Sequence, residues 1–255
     1  MLTFVGLGLY DERSITLQGR DAIAAADAVF AEQYTSRLAG ATIPDLETAH
    51  DIDIDVLDRA GVEEDPDPLL AAAAAGNAAF IVGGDPMIST THVDLRLRAD
   101  DRDIDTRIVH GTTAQTAASS LTGLQNYRFG KATTLPFPNA HGGSGLPDSV
   151  RETIAGNRDR DLHTLVYLDI DGPENRFMTG DAAAGRLVAA GVSGPGVVVA
   201  QAGSEEPVVR ADDLERLAEM DFGPPLHLMV LPGSLHDMER SALKRFADAP
   251  DDLGG

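Results

Sequence analysis

The stretch Phe4-Val5-Gly6-Leu7-Gly8-Leu9-Tyr10-Asp11-Glu12-Arg13 gives the first information about the fold. An apolar strand over residues 2–6 runs into two glycines one residue apart, as at the start of dinucleotide-binding folds. Glycine has no Cβ atom, so a ligand can approach the backbone closely at these positions. The dinucleotide fingerprint then breaks, because its third glycine position holds Asp11. A nicotinamide site stays open as an alternative, since Glu32 ends the second predicted strand, where an acid that binds ribose would lie.

The bulk composition sets limits on the class of protein. The chain has 255 residues, 43% of them hydrophobic, which predicts a globular protein with one large domain or two modest ones. No apolar run approaches the roughly 20 residues that a membrane-spanning helix needs. The N-terminus has no basic leader, so we predict no signal peptide and expect a cytoplasmic protein. The absence of cysteine excludes disulfides, thiolate catalysis and cysteine-ligated metal.

The charge is the most unusual bulk property. Asp and Glu number 41 against 20 Lys and Arg, which gives a formal net charge of −21. The acidic residues are scattered along the whole chain, and the only lysines are Lys131 and Lys244. Such a surface repels phosphate backbones, so we expect no nucleic-acid partner. Our hypothesis is that the protein comes from a salt-rich cytoplasm, where salt screens the charges.

The first half of the chain alternates predicted strands and helices. Such alternation predicts an α/β fold with a mainly parallel sheet. The strands are predicted at residues 2–6, 28–31, 50–57, 78–82 and 106–109. The helices are predicted at residues 17–26 (capped by Ser14 or Thr16), from Pro66 or Pro68 to Gly76, 91–99 and 113–121.

Glycine and proline crowd residues 122–147, which predicts an interdomain connection with a loop. We therefore predict two α/β domains with mainly parallel sheets, residues 1–125 and 126–255. The second domain is expected to contain strands at residues 164–170, 196–202 and 226–231. Its predicted helices cover residues 181–190, 212–220 and a last segment capped by Ser234 and ending at Phe246.

Two further glycine clusters follow predicted strands. They are Gly83-Gly84-Asp85-Pro86 and Gly111-Thr112-Thr113-Ala114. Taken singly, the first is explained by a tight turn and the second by a helix N-cap. Ligands of open α/β sheets bind at the carboxyl ends of the strands. Three such junctions on one edge therefore favour a cleft built mostly from backbone groups.

Other site types find no support in the sequence. None of the histidines has a metal-ligand spacing to a second one, so we predict no metal site. Asp51, Asp53, Asp55 and Asp58 could form a calcium site, but their alternation with Ile and Val favours a solvated strand face. A Gly-x-Ser-x-Gly elbow and a phosphate loop with lysine are both missing, which leaves hydrolase and kinase functions unsupported.

Taken in order, the three glycine clusters resemble the tetrapyrrole methylase fold, and further stretches narrow the resemblance to the diphthine synthase family. These stretches cover nearly the whole chain. They are Leu9-Tyr10-Asp11-Glu12-Arg13-Ser14-Ile15-Thr16, Phe30-Ala31-Glu32-Gln33-Tyr34-Thr35-Ser36, Ser89-Thr90-Thr91-His92, Tyr127-Arg128-Phe129-Gly130-Lys131, Leu162-His163-Thr164, Ala202-Gly203-Ser204 and Pro232-Gly233-Ser234-Leu235-His236.

The resemblance implies a homodimer of two-domain α/β subunits, with S-adenosylmethionine bound in the interdomain cleft. It implies methylation of the α-amino group of a modified histidine on translation elongation factor 2, with three methyl groups expected from an archaeal-type member. The cofactor contacts that it implies are Leu9, Asp85, Ile88, Thr113, Ala114, Leu168, Ala202 and His227. Ile88 replaces an expected valine, and Gln201 replaces a usual arginine.

The catalytic residue stays undetermined at this stage. Each methylation of an amine releases one proton, so a general base is one option and direct loss of the proton to water is another. The polar candidates are Tyr10, Glu32, His92, His110 and Asp169. Three rival functions also stay open: methylation of a tetrapyrrole ring, a nucleotide-binding protein without chemistry, and a nicotinamide oxidoreductase.

Overall fold

The computed structural model describes residues 1–32, 34, 37–138, 145–172 and 174–253. It separates into two compact units: Met1–Thr113 with Asp171–Asn175, and Ala114–Ile170 with Arg176–Gly255. The two units first divide between Thr113 and Ala114, and the predicted domain boundary between residues 125 and 126 lies further along the chain. Helix Ala114–Thr122 lies between these two boundaries. It belongs to the second unit because it packs against strands and a helix of that unit.

The first unit contains a parallel sheet whose strand order is β3-β2-β4-β1-β5. Its strands are β1 (Leu2–Gly6), β2 (Ala28–Glu32), β3 (Ile54–Leu57), β4 (Ala78–Val82) and β5 (Thr106–Val109). Its helices are α1 (Leu17–Ala24), α2 (Ile43–His50), α3 (Asp67–Ala75) and α4 (His92–Asp100). The central strands β1 and β4 are buried along their whole length, as expected of a sheet covered on both faces. The parallel α/β fold predicted for the first half is confirmed.

Helix starts in this unit follow capping rules. Of the two predicted caps for α1, Thr16 is the N-cap, and its hydroxyl accepts a bond from the N–H of Gly19 at 3.0 Å. Helix α2 was not predicted, although Thr42 and Asp45 form a capping box. Because α2 extends to His50, the strand predicted over residues 50–57 is reduced to β3.

The second unit is built on a sheet with strand order β11-β10-β12-β7-β6. Its strands are β6 (Thr133–Leu135), β7 (Thr164–Leu168), β10 (Pro195–Ala200), β11 (Val208–Asp213) and β12 (His227–Leu231). The two-residue strands β8 (Ile170–Asp171) and β9 (Arg176–Phe177) pair with each other. The helices are α5 (Ala114–Thr122), α6 (Asp148–Arg158), α7 (Gly180–Ala189), α8 (Leu214–Leu217) and α9 (Asp237–Phe246).

Three predictions for this unit are wrong. The sheet is mainly antiparallel, since only β6 and β7 pair in parallel. The helix predicted over residues 212–220 shrinks to α8, because β11 pairs along its whole length with β10. The last helix is capped by His236 instead of Ser234, whose hydroxyl accepts a bond from Arg128.

No helix among the described residues is long and apolar enough to cross a membrane. The loop predicted to be least family-like, residues 139–146, lies mostly outside the described residues.

Candidate functional site

Four glycines of the first unit meet at the carboxyl ends of β4, β1 and β5, and we call Gly6, Gly8, Gly84 and Gly111 the glycine junction. Gly84 N–H donates to the carbonyl oxygen of Gly8 at 2.7 Å, and Gly8 N–H donates to that of Gly84 at 3.2 Å. Both residues have left-handed φ values, 75° for Gly8 and 76° for Gly84, which glycine adopts without strain. The loops after β1 and β4 are thus joined directly through their backbones.

The glycine junction has no room for side chains on its inner side. A Cβ atom on Gly6 would stand 2.5 Å from the nitrogen of Gly111, and one on Gly111 would clash with the carbonyl oxygen of Gly84. Gly84 itself is different, because no atom of the described residues lies within 4 Å of the place where its Cβ would be. The backbone at Gly84 therefore borders open space, where a ligand can approach it.

The carboxylate of Asp85 connects the loop after β4 to the loop after β5. Its Oδ1 accepts the N–H of Met87 at 2.9 Å, and its Oδ2 accepts the N–H of Gly111 at 3.3 Å. Oδ2 also lies 2.8 Å from Nδ1 of His110, and the Asp85 side chain is only 5% exposed. Strand β1 lies between β4 and β5, so the Asp85 side chain, which follows β4, spans β1 to contact His110 and Gly111 after β5.

Four predicted cofactor contacts belong to the first unit, and all follow the ends of these strands. Leu9 comes directly after Gly8, is half-buried, and its carbonyl oxygen accepts the hydroxyl of Ser14. Ile88 lies in the turn after Asp85 and is 46% exposed. Thr113 follows Gly111 in the connection from β5. The structure thus places Leu9, Asp85, Ile88 and Thr113 at the same edge of the first sheet.

A depression of about 530 Å³ in the first unit lies at the opposite edge of the sheet. It is lined by Met1, Thr3, Asn77 and Arg107, among others, at the amino ends of β1, β4 and β5. Ligands of parallel α/β sheets bind at the carboxyl ends instead. The glycine junction is therefore the stronger candidate.

Comparison with known proteins decides the family. Residues 1–218 match the family model described as Tetrapyrrole (Corrin/Porphyrin) Methylases. The diphthine synthase of Natronomonas pharaonis is 62% identical over 98% of this chain and 97% of its own length. That of Haloquadratum walsbyi is 61% identical over 99% of this chain and 97% of its own length. The chain belongs to the diphthine synthases of the tetrapyrrole methylase family.

Solved structures agree with this assignment. A crystal structure of diphthine synthase has a TM-score of 0.90 and 39% identity, covering 99% of this chain and 98% of its own. The structure of a diphthine synthase described as putative, from Entamoeba histolytica, has a TM-score of 0.84 and 30% identity, covering 98% of this chain and 99% of its own. The predicted fold, a tetrapyrrole methylase fold, is confirmed.

The four remaining predicted contacts belong to the second unit. Leu168 ends β7, His227 begins β12, and Ala202 follows β10 by two residues, so all three lie at one end of this sheet. Ala114 begins α5. The ring of His227 is engaged on both sides: Nδ1 accepts the N–H of Gly180, and Nε2 lies 3.0 Å from the carbonyl oxygen of Pro224.

Burial lowers the pKa of the His227 imidazole, and hydrogen bonds to backbone carbonyls oppose this effect only in part. A neutral ring with both nitrogens bonded has no capacity left for proton transfer. The His227 ring is therefore not a candidate for the base, and its contact with a cofactor stays a prediction. Gln201, at the position where an arginine was expected, has a left-handed φ of 51°.

Residues of three family-like stretches meet α9 in the second unit at what we call the Glu239 cluster: Glu239, Arg128, His163 and Ser234. The first three are buried and Ser234 is exposed. The Glu239 carboxylate accepts bonds from Arg128 Nη1 at 2.6 Å and from His163 Nε2 at 3.0 Å. Arg128 Nη2 donates to the hydroxyl of Ser234 at 3.1 Å. Sequence reasoning missed Glu239, because no local pattern links a residue of α9 to partners far away in the chain.

No group of three or more His, Cys, Asp or Glu side chains in the described ranges is arranged to hold a metal ion. Two of the four aspartates considered for calcium have other structural roles. Asp51 ends α2 in a left-handed conformation, and Asp58 accepts the N–H of Gly61 at 2.7 Å.

Proposed function

We propose that the chain transfers methyl groups from S-adenosylmethionine to the α-amino group of the aminocarboxypropyl-histidine of translation elongation factor 2, giving diphthine. The observation that carries this proposal is 60–62% identity, over nearly the whole chain, to proteins named diphthine synthase. The glycine junction supports it, since it offers a ligand backbone groups and one buried carboxylate. We further propose three transfers per histidine and a homodimeric enzyme.

The residues of the junction fit a donor that carries a positive sulfonium. The open space beside Gly84 exposes backbone polar groups to a ligand, and Asp85 keeps acceptor capacity beyond its three bonds. Bound S-adenosylmethionine supplies an electrophilic methyl group. Backbone carbonyls and apolar side chains such as Leu9 and Ile88 hold such a donor without stabilising its charge too strongly in the ground state, which would slow the reaction.

The role of the chain is then largely one of positioning. Methyl transfer is an in-line displacement, so the attacking nitrogen must lie opposite the sulfur that leaves. We propose Leu9, Asp85, Ile88 and Thr113 as contacts that fix the donor. Contacts from Ala114, Leu168, Ala202 and His227 stay a prediction.

Calorimetry separates this function from its rivals. We expect binding of S-adenosylmethionine and none of reduced nicotinamide cofactor, with weaker binding in Asp85→Ala. Methylation of a porphyrinogen in place of the elongation factor would favour the tetrapyrrole alternative. Donor binding without methylation of either acceptor would favour a nucleotide-binding protein without chemistry.

A further inference from the structure

Asp85 and His110 form a carboxylate–imidazole pair at the glycine junction. Asp85 Oδ2 lies 2.8 Å from His110 Nδ1, the Asp85 side chain is 5% exposed, and that of His110 is 76% exposed. A carboxylate behind one ring nitrogen fixes the tautomer, so that Nδ1 carries the proton and Nε2 keeps a lone pair. Oδ2 also accepts the N–H of Gly111, which holds the carboxylate in place.

From this geometry we infer that His110 is the proton acceptor for the methylated amine, with Asp85 as its positioning residue. The inference rests on the proposed function, since it requires an amine as acceptor. Among the described residues, the His110 ring contacts Asp85 through Nδ1 and makes no hydrogen bond through Nε2. Its exposed Nε2 is therefore available to a substrate.

The surroundings of the other polar candidates suit this role less well than those of His110. Glu32 is buried and accepts the N–H of Tyr34 at 2.9 Å. His92 is 1% exposed, and its Nδ1 faces the carbonyl oxygen of Pro86. Asp169 belongs to the second unit and not to the glycine junction, and it accepts the N–H of Phe137 at 2.8 Å.

Tyr10, the remaining candidate, packs its ring against Gly40, where an added Cβ would stand 2.6 Å from the ring. Its carbonyl oxygen accepts the N–H of Gly40 at 2.6 Å. A phenol must first lose its own proton to act as a base, and neither contact supplies a group that could take that proton. Among the five candidates, His110 alone combines an exposed nitrogen with a buried carboxylate behind the ring.

The proton balance of the reaction gives His110 a defined task. The acceptor arrives largely as an ammonium ion, and Nε2 of His110 takes one of its protons, which frees the nitrogen lone pair. That lone pair forms the N–C bond to the methyl group, and the electron pair of the broken C–S bond stays on sulfur as a neutral thioether. The methylated nitrogen is again an ammonium ion, so each further transfer needs another proton removed. His110 passes its proton to solvent, to which the ring is open.

His110→Asn tests this inference, because an asparagine N–H can still bond Asp85 while the variant cannot take up a proton. We expect methylation of the elongation factor to slow by about 10²- to 10⁴-fold, with donor affinity by calorimetry nearly unchanged. Added imidazole should restore part of the rate in His110→Ala. The control is His236→Asn, which keeps a good N-cap on α9 and should retain full activity. Full activity of His110→Asn would overturn the inference.

A measurement on the unmodified enzyme separates this inference from the proposed function. Nitrogen-15 spectra of the neutral His110 ring, assigned with the His110→Asn variant, report which nitrogen carries the proton. We expect the Nδ1–H tautomer, and its loss in Asp85→Ala. A ring protonated at Nε2 would overturn the inference even if the enzyme methylates its acceptor. A wild-type enzyme that shows the Nδ1–H tautomer but no methylation would instead contradict the proposed function.

Discussion

Arg128 Nη1 lies 2.6 Å from Glu239 Oε2, and the Glu239 side chain is completely buried. The same carboxylate accepts the backbone N–H groups of Gln125 and His236, both at 3.0 Å, and a bond from His163. His163 Nδ1 accepts the N–H of Gly233, so its Nε2 carries the proton donated to Glu239. One side chain of α9 thus holds three separate segments of the second unit together.

Removing this carboxylate should destabilise the protein strongly. In Glu239→Ala, Arg128 would be left as a buried charge without its partner, at a cost of about 3–5 kcal/mol in the free energy of unfolding. Chemical denaturation at constant salt measures this. The matched control on the same helix is Lys244→Ala, which removes an exposed pair with Asp251 and should cost about 1 kcal/mol or less. Equal losses in the two variants would contradict the role of the Glu239 cluster.

Stability should fall as the pH drops below about 6.5. Burial lowers the pKa of His92, His163 and His227, so the unfolded chain takes up protons that the folded chain does not. Each such histidine adds up to about 1.4 kcal/mol per pH unit to the slope of the unfolding free energy against pH. Denaturation midpoints between pH 7.5 and about 5 test this. His92→Phe should show a shallower slope, and a flat profile for the wild type would speak against neutral buried rings.

A second loss of folding stability is expected in stronger acid. Burial raises the pKa of Glu239, but the N–H groups of Gln125 and His236 outweigh it and hold the pKa at about 2. The folded-state pKa is thus below the ordinary value of 4.5, and the stability that Glu239 contributes is lost as the pH falls from there towards 2.

The glycine junction should tolerate no side chain. Gly111→Ala would force the new Cβ against the carbonyl oxygen of Gly84, and relieving such overpacking typically costs about 1–3 kcal/mol. We expect lower stability together with weaker binding of S-adenosylmethionine. Gly156→Ala is the control, since this glycine lies within α6 and nothing lies within 4 Å of its would-be Cβ. That variant should be neutral or slightly more stable, by up to about 1 kcal/mol. Normal donor binding by Gly111→Ala would contradict the junction as a binding site.

Local patterns in the sequence predicted much of the first unit. Apolar strands followed by glycines gave β1, β4 and β5, because a buried parallel strand and its exit turn are encoded in neighbouring residues. The contact between Asp85 and His110 was not predictable, since it joins the ends of strands separated by β1. The antiparallel pairing of β10 and β11 was missed for a similar reason. Strand direction depends on contacts distant in sequence, and Asp212 and Asp213 made that segment look helical.

The acidic surface predicts a gain in stability with salt. Screening shortens the range of repulsion between carboxylates to about 3 Å at 1 M ionic strength, which relieves the self-repulsion of a chain with a net charge of −21. The midpoint of thermal unfolding should therefore rise from dilute buffer to molar KCl. Sucrose serves as the control, because it stabilises by exclusion from the surface without screening charge. A midpoint that rises with sucrose and not with KCl would refute the hypothesis of a salt-rich cytoplasm.

The most direct test of the central claim is the intact mass of the acceptor protein. Elongation factor 2 that carries the aminocarboxypropyl-histidine is incubated with this protein and S-adenosylmethionine in molar KCl, and fragmentation then locates any added mass. We predict three added methyl groups, all on the α-amino nitrogen of that histidine, and none on a factor with the unmodified histidine. A factor that stays unmethylated while the protein binds S-adenosylmethionine would contradict the proposed function.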